Sequence, residues 1–437
     1  MMIALQFAVV LFFILIGARY GSLGIGLAGG AGVIVLGLLG LKVDPATGIP
    51  WSVLGIIMSV IMCISAMEAA GGLDYLVSIT EKLLRKNPKR ITFYGPIVTY
   101  LMTLFCGTGH VAFSSLPVIA EVAKEMNIRP SRPLSISVVA SQVAISASPL
   151  SAAMIAMLAA TEPLGVDYLQ ILAVAIPTTF IGCMVGALVA SKLGCELEDD
   201  PVYQERKAAG LIKMRGEGTY DIKPGAKLSV AIFGITLAIV MVYATIISDS
   251  VGLIEKPPLG RDAAIMTFMM AGGLAIVALT KVKPAAMSTM STFKGGMSAA
   301  SCILGVAWLG NTFVNGHIEQ IKSVGSSVVS DQPWLLSVVL FFASALLYSQ
   351  AACTATLMPL AQQIGVAATT MLASFPAVTG LYLLPTYPTT VAAVELDDTG
   401  STRIGKYVFN HPFVLPGITS VVVAVLLGFL LAPLVVS

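Results

Sequence analysis

Charge is what this sequence has least of. Only 11% of its 437 residues are Asp, Glu, Lys or Arg, where a soluble globular protein carries about 25%. That shortage excludes a water-covered globular domain for most of the chain. The formal net charge of +2 excludes the dense basic patch that a nucleic-acid partner requires. Six cysteines (Cys63, Cys106, Cys183, Cys195, Cys302 and Cys353) form no CxxC and no metal-like spacing. They are expected as buried thiols, with no disulfide framework and no metal site. There is no Walker A sequence, hence no ATP-binding loop, and no cofactor motif. A GxSxG nucleophile elbow is missing too, which argues against a hydrolase built on Ser and His110.

Apolar residues fill the space instead: 57% of the chain is hydrophobic and its mean hydropathy is +0.90. The apolar runs cover 2–18, 22–41, 52–71, 92–127, 134–160, 167–193, 227–247, 262–281, 297–315, 334–366, 367–393 and 412–436. A span needs about 20 apolar residues. Runs 92–127 and 334–366 are too long for one span and are broken midway by small polar residues. The first run lacks a basic leader and a small-residue cleavage site, so it is expected as a retained span rather than a signal peptide. The 41 glycines and 20 methionines fit helices whose backbones approach closely in lipid.

Flanking charge sets the threading, because Lys and Arg collect on the cytoplasmic side. Lys82, Arg85, Lys86, Lys89 and Arg90 precede run 92–127, and Lys124 at its very end, with Arg129 and Arg132, forms its other flank. Both flanks then face the cytoplasm, and the run enters and returns as a hairpin. The 161–167 loop holds Glu162 and Asp167 but no Lys or Arg, and is placed outside. The 194–226 stretch carries Arg206, Lys207, Lys213, Arg215 and Lys223, and is placed inside together with Lys281, Lys283, Lys294, Arg403 and Lys406. The stretches 248–260 and 316–333 are poor in basic residues and fall outside. This predicts ten spans and two hairpins in an inner membrane, with both termini periplasmic.

Residues 1–193 and 227–437 then follow one plan in opposite topologies, joined by a cytoplasmic linker at 194–226. The expected fold is an all-α polytopic membrane protein of two inverted-topology repeats, each with five spans and one re-entrant hairpin. GTGHVAFSSLP at 107–117 in the first hairpin matches SQAACTATLMP at 349–359 in the second. SASPLSA at 146–152 breaks helix 134–160, as PTYPTTV at 385–391 breaks helix 367–393. Interrupted helices at corresponding places in two halves point to a transporter's midplane site. Leu73–Arg85 and 318–329 alternate apolar and polar residues at helical spacing, as helices lying on a membrane surface do.

Irregular backbone at membrane depth has to line a protein interior or a watery cavity. Ser148-Pro149 reads as a helix start, with Ser as N-cap and Pro at the first helical position, and Ser151 offers a hydroxyl one turn on. Gly107, Thr108, Gly109 and His110 form one predicted tip, and Ser349 and Gln350 the other. Pro385, Thr386, Pro388, Thr389 and Thr390 form the second break. None of these segments has a central Lys or Arg. An anion would therefore be held by backbone N–H groups and hydroxyls. Each helix N-terminus acts as roughly +0.5 charge, so four supply about +2, the complement of a dicarboxylate. His110 is a candidate for substrate or proton contact, since intramembrane ionisable groups are functional by default. His317, at an aqueous edge, and Glu68, near a span end, read as structural.

CGTGH at 106–110, NIRPSRP at 127–133, SASPLS at 146–151 and LPTYPTT at 384–390 resemble the anaerobic C4-dicarboxylate transporter family, as do GGLD at 71–74, SQAA at 349–352 and IGKYVFNHPFVLPG at 404–417. The resemblance spans nearly the whole chain and is weakest in the 194–226 linker. It implies a bacterial inner-membrane carrier that exchanges or takes up fumarate, succinate, malate and aspartate. It also implies elevator-type movement of a transport domain against a scaffold that assembles as a homo-oligomer. Substrate contacts carry over to Thr108, Gly109, His110, Ser148 and Pro149, and to Ser349, Gln350, Thr386, Pro388 and Thr389. No cofactor is implied beyond a coupling Na⁺ or H⁺. The rivals are a carrier of another anion, such as citrate, and an anion channel.

The threading predicts an asymmetry of labelling in a cysteine-free background. Glu162→Cys should react with a membrane-impermeant thiol reagent on intact cells, and Arg215→Cys only after the membrane is opened.

Overall fold

The computed structural model describes residues 2–20, 22–212, 222–247, 253–254, 257–317, 320, 332–347, 349–384, 387–405 and 410–436. Every apolar run is helical and no strand occurs among these residues. Counting helices of seven residues or more, the first half comprises α1 (Met2–Arg19), α2 (Ser22–Leu38), α3 (Trp51–Ala69), α4 (Gly72–Lys86), α5 (Ile91–Cys106), α6 (Ala112–Glu125), α7 (Ser131–Val143), α8 (Ala152–Thr161) and α9 (Tyr168–Ala190). The linker carries α10 (Pro201–Ala208). The rest comprises α11 (Ala226–Ile246), α12 (Arg261–Thr280), α13 (Ser291–Gly316), α14 (Leu335–Leu347), α15 (Gln350–Gln363), α16 (Ala368–Ser374), α17 (Pro388–Leu396) and α18 (Val414–Val435). Four described helices are long and apolar enough to cross a membrane unaided, or six if each of two bent pairs counts as one span.

Chemistry explains both bends. Gly71 takes a left-handed φ of 85°, and α4 leaves the axis of α3 at 69°. It buries Val77, Glu81 and Leu84 and exposes Ile79 and Leu83. The segment Leu73–Arg85, expected as a helix lying on the membrane surface, is a separate helix bent away from α3. Its counterpart at 318–329 lies, apart from Gln320, outside the described residues. The second bend, 50° between 368–383 and α17, falls where Pro388 removes a backbone donor and begins a new helix.

Helix pairings are reciprocal between the halves. Helix α2 packs on α13, and α3 on α12; α8 packs on α15, and α6 on α17; α9 and α18 pack on each other. The α2–α13 seam is the tightest. A side-chain carbon on Gly305 would collide with the carbonyl of Gly26, and one on Gly29 with the backbone of Gly305. Small residues here let two backbones touch, the usual device where no hydrophobic effect drives helices together.

The polar ends of the bundle sort by partner. At one end Arg85 binds Glu125 at 2.8 Å and Glu81 at 2.9 Å, so the two flanks of run 92–127 lie side by side and the run turns back on itself. Lys124 binds Asp398 at 2.9 Å and Glu121 at 3.0 Å. Arg132 binds Glu196 at 2.9 Å, and the Lys223 ammonium donates to the Ala69 carbonyl at 3.1 Å. Glu68 accepts from the Thr292 amide at 3.0 Å, capping α13, the structural role expected of it. At the other end the Gln6 amide donates to the Leu39 carbonyl at 3.0 Å, His317 pairs with Gln6 at 2.5 Å, and Gln170 donates to the Val435 carbonyl at 2.9 Å. Five cysteines are buried and Cys195, in the linker, is exposed.

Asp200 ties the linker down. Its fully buried carboxylate faces Arg129 at 2.7 Å and Arg403 at 3.1 Å. Burial pushes its pKa up, but hydrogen bonds from Arg403 and the Val202 amide, with both positive charges, hold it below the ordinary carboxylate range. A depressed carboxylate stabilises the fold above its unfolded pKa of about 3.9, and that stability is lost as pH falls through the folded value. Asp200→Asn should therefore cost about 3 kcal/mol, the low end for a broken buried pair because Arg403 stays 46% exposed. Melting of the purified protein at pH 7 reads this loss. The gap between variant and wild type should close as the pH drops below about 4.

Candidate functional site

Four helix interruptions meet inside the bundle, and each has a local cause. Helix α5 stops at Gly107, whose φ of 71° lies in the left-handed region and whose N–H caps Thr103 at 2.8 Å. A side-chain carbon there would lie 2.9 Å from the Leu150 carbonyl oxygen, so this tip needs glycine twice over. Thr108 then caps the 109–111 turn. Its Oγ1 accepts from the His110 amide at 3.3 Å and lies 3.1 Å from His110 Nδ1.

The break between α7 and α8 departs from expectation in one respect. Ser148 is not the N-cap and Pro149 is not the first helical residue. Ser151 caps α8, its Oγ accepting from the Met154 amide at 3.0 Å, and the helix begins at Ala152. Ser148 instead accepts from the Leu150 amide at 3.3 Å and donates to the Leu104 carbonyl at 2.7 Å. The proline lies within a turn rather than a helix, and its carbonyl accepts from the Tyr168 hydroxyl at 2.5 Å. With its carbonyl and both neighbours committed elsewhere, the chain needs one further turn before α8 can start.

In the second half Ser349 is the N-cap of α15, its Oγ accepting from the Ala352 amide at 3.1 Å, and Gln350 opens that helix. Pro388 is the first residue of α17. Thr389 and Thr390 are fully buried behind it, and the Thr390 hydroxyl donates to the Tyr387 carbonyl at 2.6 Å. Pro385 and Thr386 lie outside the described residues.

Three contacts join the interruptions across the halves. The His110 ring stacks near that of Tyr387, with centroids 6.2 Å apart. The Gln350 side chain donates to the Gln142 carbonyl at 2.8 Å and to the Thr379 hydroxyl at 3.2 Å. The Gln142 side chain donates to Thr389 Oγ1 at 3.0 Å. These contacts link both hairpin tips to both broken helices, and the interrupted segments have no central Lys or Arg. Such an arrangement offers positive dipole ends and hydroxyls to an anion.

A model of the anaerobic C4-dicarboxylate membrane transporter family matches residues 2–436. The chain belongs to that family. It is 56% identical to the C4-dicarboxylate transporter DcuA of Wolinella succinogenes over 99% of this chain and 100% of that one. Against DcuA of Escherichia coli K12 it is 51% identical over 98% and 99%, and against the anaerobic C4-dicarboxylate transporter DcuB of E. coli, 35% over 99% of each. Among solved structures it resembles the YdaH transporter of Alcanivorax borkumensis (TM-score 0.58, 14% identity, covering 88% and 85%) and the efflux pump MtrF of Neisseria gonorrhoeae (0.59, 14%, covering 87% and 81%). Those two likenesses establish a shared helical membrane fold. The relatives of this family member are transporters, not enzymes.

Gln142 and Thr379 join the interruptions and are not among the candidates drawn from the sequence. Gln142 has a visible signal: it is an amide in the middle of an apolar run, preceded by Ser141, just as Ser349 precedes Gln350. Its side-chain oxygen and that of Gln350 are buried without a hydrogen-bond partner.

Ser148→Ala removes the tie between the first break and the first hairpin and strands the Leu104 carbonyl. We expect a loss of about 1–3 kcal/mol, read as a lower melting temperature with membrane insertion unchanged in a fractionation assay.

Proposed function

We propose that this chain is a secondary carrier that binds a C4-dicarboxylate such as fumarate, succinate, malate or aspartate where its four interrupted helices meet. One observation carries the reading: four half-helix N-termini are brought together from both halves with no central Lys or Arg in the interrupted segments. A monovalent anion would leave about half of their summed charge of roughly +2 unanswered, and a dianion matches it. The printed names of the relatives at 35–56% identity favour the same substrate class. Thr108, Gly109 and His110 present one tip and Ser349 and Gln350 the other. Ser148, Pro149, Ser151, Pro388 and Thr389 line the breaks, and the sequence assigns Thr386 to the second of them.

Two inverted repeats, 1–193 and 227–437, would make this site, and the exchange of partners between helix pairs supports that reading. Helices α1–α3 and α11–α13 then act as the scaffold, which assembles with copies of itself. The hairpins and broken helices form the body that moves, elevator-fashion, in the bacterial inner membrane. The side-by-side flanks of run 92–127 favour re-entry on the cytoplasmic side, with both termini periplasmic. Exchange, or uptake coupled to H⁺ or Na⁺, fits a chain with no ATP-binding loop.

Purified protein in liposomes preloaded with succinate should accumulate labelled fumarate by counterflow. Citrate should compete poorly, and the test repeated with imposed Na⁺ and H⁺ gradients assigns the coupling. Large single-channel currents in place of counterflow would defeat the carrier reading. His110→Ala should lower exchange roughly tenfold, the worth of about 1.4 kcal/mol, without preventing insertion.

A further inference from the structure

The proposed site is built of donors, yet it contains two groups that a dicarboxylate cannot satisfy. The side-chain oxygens of Gln142 and Gln350 are buried and accept no hydrogen bond, although the two residues are 0% and 3% exposed. A carboxylate offers only acceptors, so neither end of an unsubstituted diacid can pair with them.

Their orientations differ in freedom. Gln350 is fixed. Its amide nitrogen donates to the Gln142 carbonyl and the Thr379 hydroxyl, and turning the amide over would set its oxygen against that carbonyl. Gln142 is adjustable. Its partner is the Thr389 hydroxyl, which donates or accepts, so either end of that amide can face a guest. Gln142 comes from the first half and Gln350 from the second, and they touch each other. The pair therefore combines a permanent acceptor with a convertible one at the junction of the halves.

We propose that Gln142 and Gln350 form the subsite that reads the substituent of the four-carbon diacid, their oxygens accepting the α-ammonium of an amino-dicarboxylate. The inference rests on the substrate class proposed above and deepens it. With an unsubstituted diacid, Gln142 turns its amide nitrogen towards the guest. With an amino-diacid it presents oxygen, and the ammonium donates to both residues. One pair of amides thereby serves both kinds of substrate.

The test uses the whole protein in liposomes and reads the ratio of half-saturating aspartate to half-saturating succinate. Gln350→Leu should shift that ratio at least tenfold against aspartate. Gln142→Glu, which places a carboxylate opposite the ammonium, should shift it the other way. In the wild type, aspartate should compete at least tenfold better than 2-methylsuccinate, which has the same shape but no N–H donors. An unchanged ratio in both variants, or equal competition by aspartate and methylsuccinate, overturns the proposal. So does a ratio that stays constant while the Gln350→Leu defect tracks Na⁺ replaced by choline, because the oxygens would then hold a free cation. A wild-type protein that moves no C4-dicarboxylate at all overturns the substrate class instead, and the two failures are told apart by that control.

Discussion

A backbone group that leaves a helix inside a bilayer has no water to turn to. Everything distinctive about this molecule follows from satisfying that constraint at four interruptions. Each is pressed against another part of the protein: the Gly107 tip against Leu150, the Ser148 turn against Leu104, Gln350 against Gln142, and Thr389 against the Gln142 side chain. Helix ends that need partners are brought to one place because each supplies what another lacks. Helix N-termini carry partial positive charge, and the same contacts that satisfy the interrupted backbone hold these ends near one another.

Much of this was legible beforehand, and the reasons are physical. The apolar runs predicted the helices because only a helix of about that length closes its own hydrogen bonds in lipid. The basic flanks of run 92–127 lead to the expectation of a hairpin, and the contact nearest that question is the Arg85–Glu125 pair. The start of α8 was misplaced by one turn, because a Ser-Pro pair reads as a cap from local preference alone. The hydroxyl was in fact claimed by Leu104, 44 residues away. Gln142 was missed for a related reason. Its meaning lies in a bond to Thr389, 247 residues distant, and no local pattern carries that information.

The ion pairs at the basic end show a different economy. Asp200, Arg129 and Arg403 come from the linker, the loop before α7 and the loop after α17. Buried pairs of this kind add little net stability but specify partners sharply, since an unpaired buried charge is costly. Here they fix which loops meet, and the linker serves as a clasp between distant segments rather than a passive tether.

The seam between α2 and α13 has a mechanical corollary. Where Gly26 and Gly305 meet, two main chains interlock with no cushion of side chains between them. Such a joint behaves like meshed gear teeth: it resists shear and transmits torque. Any movement of one helix pair past another would have to be taken up outside this joint.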